Sequence, residues 1–140
     1  MHLSLDLTLP ADHTFVRTTR RVVAAYLDNA GLPHDLRDDL VLAVGEACSN
    51  AVQHAFPDGE GLFRLVLDLR PNEIVVEVSD TGVGFQAFDQ ANAHGGSLAP
   101  AGRGIEIMRR LVGAVEVESP TATGGTRIRL HHTLGTTVLS

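Results

Sequence analysis

Lysine is missing from this chain. All 11 basic side chains among its 140 residues are arginine, and 17 acidic residues leave a formal net charge of −6. P-loop and Schiff-base chemistry, each built on a lysine amine, are thereby excluded. An acidic chain without a basic block is also a poor match for a nucleic-acid backbone, so no nucleic acid is expected as a partner. Tryptophan is absent too, and tyrosine occurs once. The lone cysteine, Cys48, cannot close an internal disulfide, and its apolar neighbours make it a core filler rather than a nucleophile. No apolar run approaches the length of a membrane span, and the opening MHLSLDLTLP lacks a basic stretch followed by a long apolar one. A cytoplasmic protein with no membrane contact is the expectation.

What is present is enough for one core. Apolar residues make up 44% of the chain, and a single domain over 1–140, ordered to about residue 132, is expected. Residues 2–9 alternate apolar and polar side chains as a half-buried strand does. Pro10 and Asp12 open a helix that runs to about Asn29, with Phe15, Val16, Val22, Val23 and Leu27 toward the core. Gly31 ends it, and Pro33 suits the first turn of a second helix that continues to Phe56, where Pro57, Asp58 and Gly59 stop it. Strands follow at 62–69 and 73–80, joined at Pro71 and Asn72. The stretch from Phe85 to Arg103 is rich in Gly, Ala and Ser and has no period; a loop of that length is usually functional or mobile. A helix from about Gly104 to Leu111 and strands near 114–119 and 125–132 complete the order β-α-α-β-β-loop-α-β-β, with the final residues loosely held. Adjacent strands on short turns predict an α+β two-layer sandwich: a mixed, mostly antiparallel sheet with helices on one face.

Four places carry polar or glycine patterns that a plain core does not need. In VLAVGEACSNAVQHAF (41–56), Glu46, Asn50 and His54 recur every four residues and stack beside the apolar stripe of Leu40, Val44, Ala47, Ala51 and Ala55. A solvent-facing boundary column and a ligand-facing one both satisfy that pattern. VSDTGVGF (78–85) sets Asp80 at a strand end before Gly82 and Gly84. That can be an ordinary turn, or a carboxylate accepting from an exocyclic amine beside a backbone that a ligand can approach. AGRGIEIMRRL (101–111) places Gly102, Arg103 and Gly104 at a helix opening, where free amides and a guanidinium can hold an anion. It is neither a dinucleotide fingerprint nor a P-loop. In TGGTRIRL (123–130), Thr126 starts the last strand.

Taken in order, these elements make the whole chain resemble the ATP-binding domain shared by DNA gyrase, histidine kinases and MutL-type proteins, the GHKL or Bergerat fold. The stretch EACSNAVQHAF resembles the stand-alone anti-sigma factor serine kinases in particular. The resemblance implies ATP and Mg²⁺ as cofactors, with Asn50 as the metal ligand and Glu46 as the catalytic general base. It makes Asp80 the reader of adenine, assisted by Thr126 through water, with Gly82 and Gly84 in the pocket wall. Gly102, Arg103, Gly104 and Ile105 would form the phosphate-binding end of a lid spanning about 86–101, with His54 near the phosphates. Gln53 stands where many sensor histidine kinases carry a basic residue, which favours the stand-alone branch. Gly113 and Ala114 depart from the acidic pair of many anti-sigma kinases. The short stretch ahead of the second helix has no place for a phospho-acceptor histidine domain, so a self-phosphorylating sensor kinase is not expected.

The implied function is an ATP-Mg²⁺-dependent serine/threonine kinase and anti-sigma factor of a partner-switching system. Its implied partners are a STAS-domain anti-anti-sigma protein, which it phosphorylates, and a sigma factor; a homodimer through the first strand and helix is also implied. The alternatives are an ATP-dependent binding module with little or no transfer, and an ATP hydrolase without a protein acceptor.

Overall fold

The computed structural model describes residues 2–55, 61–80, 100–118 and 125–134, without the side chains at 54–55 and 100–105. Its elements are β1 (Leu3–Pro10), α1 (His13–Asn29), α2 (His34–Asn50) with a π-helical turn Ala51–Ala55, β2 (Leu62–Leu69), β3 (Glu73–Asp80), α3 (Pro100–Val112), β4 (Ala114–Glu118) and β5 (Arg127–Thr133). The expected order holds across the described residues. Both strands of the β2–β3 hairpin have the expected limits.

The five strands lie in the order β1-β2-β3-β5-β4, and every neighbouring pair is antiparallel. Alternation sorts the side chains into two faces. Phe63, Leu65, Leu67 and Leu69 of β2 are buried, and the register sets them beside Leu9, Leu7, Leu5 and Leu3 of β1 and beside Asp80, Val78, Val76 and Ile74 of β3. Ile128 and Leu130 of β5 extend the same face. The helices cover it: Val16, Val23 and Leu27 from α1, Leu40, Val44, Ala47 and Ala51 from α2 and the turn after it, and Met108 and Val112 from α3 join one apolar cluster. Phe15 and Val22, expected in the core, are only half-buried at its margin. No helix among the described residues is long and apolar enough to cross a membrane.

Local chemistry explains the element ends. The carboxylate of Asp12, the α1 N-cap, accepts from the Thr14 amide at 2.8 Å. After the α1 C-cap at Ala30, Gly31 takes φ +81°, the left-handed position that glycine fills without strain. Pro33 is the residue before α2 rather than part of its first turn. The β2–β3 turn closes with the Arg70 amide donating to the Glu73 carbonyl at 2.9 Å.

Two expectations are corrected. The second helix does not stay α-helical to its end: Ala51–Ala55 widens into a π turn. The third helix starts at Pro100, not near Gly104. Proline suits a first helical position because its missing N–H would be unsatisfied there anyway. Gly102, Arg103, Gly104 and Ile105 thus lie inside the first turns of α3 rather than ahead of them, and residues 100–101 of the expected lid are helical.

Candidate functional site

Four polar residues are buried among the described residues: Thr19, Asn50, Asp80 and Thr126. Thr19 is accounted for, since its hydroxyl donates to the Phe15 carbonyl one turn back at 2.8 Å. The other three are site residues expected from the sequence. Buried polar side chains are uncommon, and these three stand at or beside the ends of α2, β3 and β5.

Asp80 is the last residue of β3 and lies on the helix-covered face, where Ile74, Val76 and Val78 precede it and Phe63 stands opposite. It is 8% exposed. Its backbone amide donates to the Thr126 carbonyl at 3.0 Å, which holds the two residues side by side where β3 meets the entry to β5. Thr126 is 4% exposed. The two residues are therefore neighbours through their backbones.

Asn50 ends α2 and is 4% exposed, and its side-chain nitrogen Nδ2 is buried with no hydrogen-bond partner among the described residues. A buried donor without a partner costs roughly 1–3 kcal/mol, so the amide suits a position that a polar ligand completes. Glu46, one turn earlier, is half-buried. The two sit on the flank of α2 away from its apolar stripe, and both α2 and the π turn touch β3, the strand that ends in Asp80. His54 lies in the π turn, and its side chain is outside the described residues, as are those of Arg103 and Ile105. Gly82, Gly84 and the expected lid from 86 to 99 also fall outside them.

With α3 starting at Pro100, the first-turn amides free of the helix ladder are those of Ala101 and Gly102. The Gly104 amide belongs to the ladder. Any anion held at this end meets the former pair, a shift of one half-turn from the sequence expectation.

One feature escaped the sequence reading. Arg20 of α1 lays its guanidinium across α2 at Gly45: a Cβ built on Gly45 would come 2.1 Å from Arg20 Nε. That Nε is buried without a partner among the described residues. Cys48 lies nearby, fully buried, and burial pushes its thiol up to about 12, against a smaller opposing pull from Arg20. The thiol is inert at neutral pH, as expected of a core filler. The available signal was Gly45 itself, because a glycine inside an otherwise regular helix usually has a packing reason.

The sequence profile of the histidine kinase-like ATPase domain matches residues 9–132. The serine-protein kinase RsbW of Bacillus velezensis is 30% identical over 125 residues, covering 82% of this chain and 78% of that protein. The protein of the same name from Bacillus thuringiensis is 32% identical over 81 residues, covering 58% of this chain and 51% of the relative, so that match spans about half of the relative's length. Among solved structures, the RsbU and RsbW domains of Rv1364c from Mycobacterium tuberculosis superpose with a TM-score of 0.67 at 24% identity, covering 93% of this chain and 31% of that one. The histidine kinase domain of a blue-light activated histidine kinase from Erythrobacter litoralis gives 0.56 at 22% identity, covering 90% and 62%. Both structural likenesses speak for the fold.

Proposed function

Because the chain belongs to the histidine kinase-like ATPase domain family, we propose that it is an ATP- and Mg²⁺-dependent serine/threonine protein kinase and anti-sigma factor of a partner-switching system. Its acceptor is a STAS-domain anti-anti-sigma protein, its alternate partner is a sigma factor, and it works in the cytoplasm as a homodimer through β1 and α1. Relatives that carry the name serine-protein kinase support this reading.

The observation that carries it is the pair on α2: a buried Asn50 amide with an unpartnered nitrogen, and a half-buried Glu46 one turn before it. The amide oxygen is a hard donor that suits Mg²⁺. Among the described residues no group of three His, Cys, Asp or Glu could hold a metal ion. A cation at Asn50 would therefore draw most of its ligands from phosphate and water, as Mg²⁺ commonly does. When bound, the metal neutralises charge on the phosphates. Asp80 accepts from the adenine amine, Thr126 supports it through water, and Gly82 and Gly84 keep that wall close to the base. Gly102, Arg103, Gly104, Ile105 and His54 border the phosphates. Glu46 orients the acceptor hydroxyl and takes its proton as the oxygen attacks phosphorus. A pure binding module needs no base at that spot.

Transfer of labelled phosphate from ATP to the STAS-domain protein, run beside calorimetric titrations with ATP-Mg²⁺, tests the reading. Glu46→Gln keeps the side chain's shape but cannot accept the proton, and a positioned base contributes about 10²–10⁴-fold. Transfer should fall at least about tenfold while affinity stays within a few-fold. Asn50→Ala should lose both. Transfer at the parent rate by Glu46→Gln would remove the base and leave the ATP-dependent binding module as the better account.

A further inference from the structure

The face of the sheet turned away from the helices carries a half-open cavity of about 360 Å³, beside the β2–β3 turn. Its floor is one row across three strands, Val75, His131 and Ala114, which the register sets side by side. Val75 stands outside the apolar cluster under the helices, yet it is only 7% exposed, so the surrounding side chains shelter an apolar spot. Ala114 lies on the edge strand β4, and its single methyl group leaves that side of the cavity low.

The two ends of the cavity differ in what they leave unused. At the turn, both oxygens of Glu73 are taken: Oε1 accepts from Arg70 Nη1 at 3.0 Å, and Oε2 meets His131 Nε2 at 2.6 Å. The carboxylate holds both cationic side chains in place, and Arg70 keeps further N–H donors for a guest. The other end is made by Arg129 and Glu116, directly opposite each other on β5 and β4. Arg129 also has Glu77 opposite it on β3, but Arg127 draws Glu77 away at 3.4 Å while holding Glu118 at 2.9 Å. Among the described residues neither Arg129 nor Glu116 has an ion pair. One guanidinium and one carboxylate are thus free at one end, donors are free at the other, and an apolar floor lies between.

The geometry points to a binding site for a free acidic α-amino acid, with glutamate as the type. Its α-carboxylate pairs with Arg129 and its ammonium with Glu116. Its methylenes lie on Val75 and Ala114, and its side-chain carboxylate meets Arg70 beside His131. His131 stands two residues along β5 from Arg129, about 7 Å, and Arg70 is tied to the same Glu73, so one small molecule spans both ends. A guanidinium–carboxylate pair is among the strong polar contacts. A simple anion satisfies Arg129 but faces the charge of Glu116, and a simple cation has the reverse difficulty; a zwitterion engages both. The placement uses none of Glu46, Asn50 and Asp80, which belong to α2 and the helix-covered face, so it stands apart from the kinase reading.

The test titrates the full chain, without nucleotide, with glutamate, glutarate and leucine, followed by NMR. Glutamate should bind saturably, with shifts at Val75, Ala114, Glu116, Arg129 and His131 and none at Asn50. Glutarate lacks the ammonium and leucine lacks the second carboxylate, so each should bind roughly tenfold more weakly or worse. Arg129→Gln removes the charge of the first contact, and Ala114→Leu fills the low side of the cavity; both positions are exposed. Each should weaken glutamate binding roughly tenfold, whereas Arg110→Gln on α3 should leave it unchanged. If Ala114→Leu lowers the melting temperature, Glu116→Gln takes its place, with the same loss expected. Absence of saturable shifts from glutamate overturns the site. Equal affinity for glutarate and glutamate overturns the amino-acid assignment, and full affinity in Arg129→Gln overturns the placement.

Discussion

At Gly45 the absence of a side chain is the feature that matters, because Arg20 fills the place a methyl group would take. The contact is lopsided in energy. Alanine is favoured over glycine in a helix interior by about 1 kcal/mol, whereas expelling the guanidinium breaks no hydrogen bond and returns a desolvated Nε to water. Gly45→Ala should therefore leave stability within about 1 kcal/mol of the parent in urea unfolding while releasing Arg20 from its seat. A loss of several kcal/mol would show that Arg20 is held there by more than packing. Asp80 gives the opposite case. Its position is fixed by the strand end and by the bond of its amide to Thr126, so a substitution acts on the carboxylate alone. Under the proposed adenine-reading role, Asp80→Asn offers a donor where the adenine amine also donates, and a lost hydrogen bond of roughly 1–3 kcal/mol should weaken ATP binding tenfold or more. Calorimetry with ATP-Mg²⁺ checks this, and unchanged affinity removes Asp80 as the reader of the base.

Among the elements, the helix carrying Glu46 and Asn50 departs most from a sequence reading, and the departure lies at the site. An α-helix advances about 400° in four residues, so a column at every fourth position drifts by about 40° per step. A π turn, with about 4.4 residues per turn, advances about 330° over the same count and reverses the drift of the backbone. The turn at Ala51–Ala55 therefore changes where His54 leaves the helix relative to Asn50. Deleting the exposed Gln53 should restore α geometry, keep the helical signal in circular dichroism, and weaken ATP binding roughly tenfold. Full affinity in that variant would separate the π turn from the site. Nothing in AVQHA announces such a turn, since its residues suit an ordinary helix and the widening is settled by what α2 packs against. The start of α3 was missed for a related reason: Gly102 and Gly104 argue against helix by propensity, and only packing overrides them. Strands were legible because alternation is a local signal that the sheet obeys residue by residue, as in Leu65 and Leu67 against Arg64 and Asp68. Candidate site residues were legible where a polar group interrupts an apolar pattern, and the burial of Asn50 and Asp80 is what the structure adds to them. Arg20 was illegible because no spacing in α1 points to a glycine in α2.

Seen as a whole, the molecule has one face of its sheet given to the core and the other to charge. On the open face Arg64 bridges to Asp6 across β1 and β2 with bonds of 2.9 and 2.6 Å, His131 meets Glu73 across β3 and β5 at 2.6 Å, and Arg127 reaches Glu118 on β4 at 2.9 Å. The two arginine pairs are exposed and the His131–Glu73 pair is part-buried; an exposed pair contributes little by itself, yet together they connect strands at both edges of the sheet. Three acids of the sheet, Asp6, Glu73 and Asp68, shift in one direction. Arg64 holds the Asp6 carboxyl below its usual range, His131 does the same for Glu73, and Ser4 followed by His2 for Asp68. At the head of α1, the Thr14 amide lowers Asp12 in the same sense. A carboxylate whose pKa is depressed by folding stabilises the native state above its unfolded pKa, about 4, and that contribution is lost as pH falls through the folded value. The melting temperature should thus vary little between about pH 7 and pH 5 and fall below about pH 4. Salt separates the contributors: ion pairs such as Asp6–Arg64 are screened, whereas the Asp12 cap is a short hydrogen bond to the backbone and is screened less. Raising ionic strength should therefore flatten the acid limb in the parent, and the Asp6→Asn variant should show less of that flattening. Thermal scans across pH at low and high salt decide the matter. An acid limb of equal steepness in both salts would assign the pH dependence to the cap rather than to the charged face of the sheet.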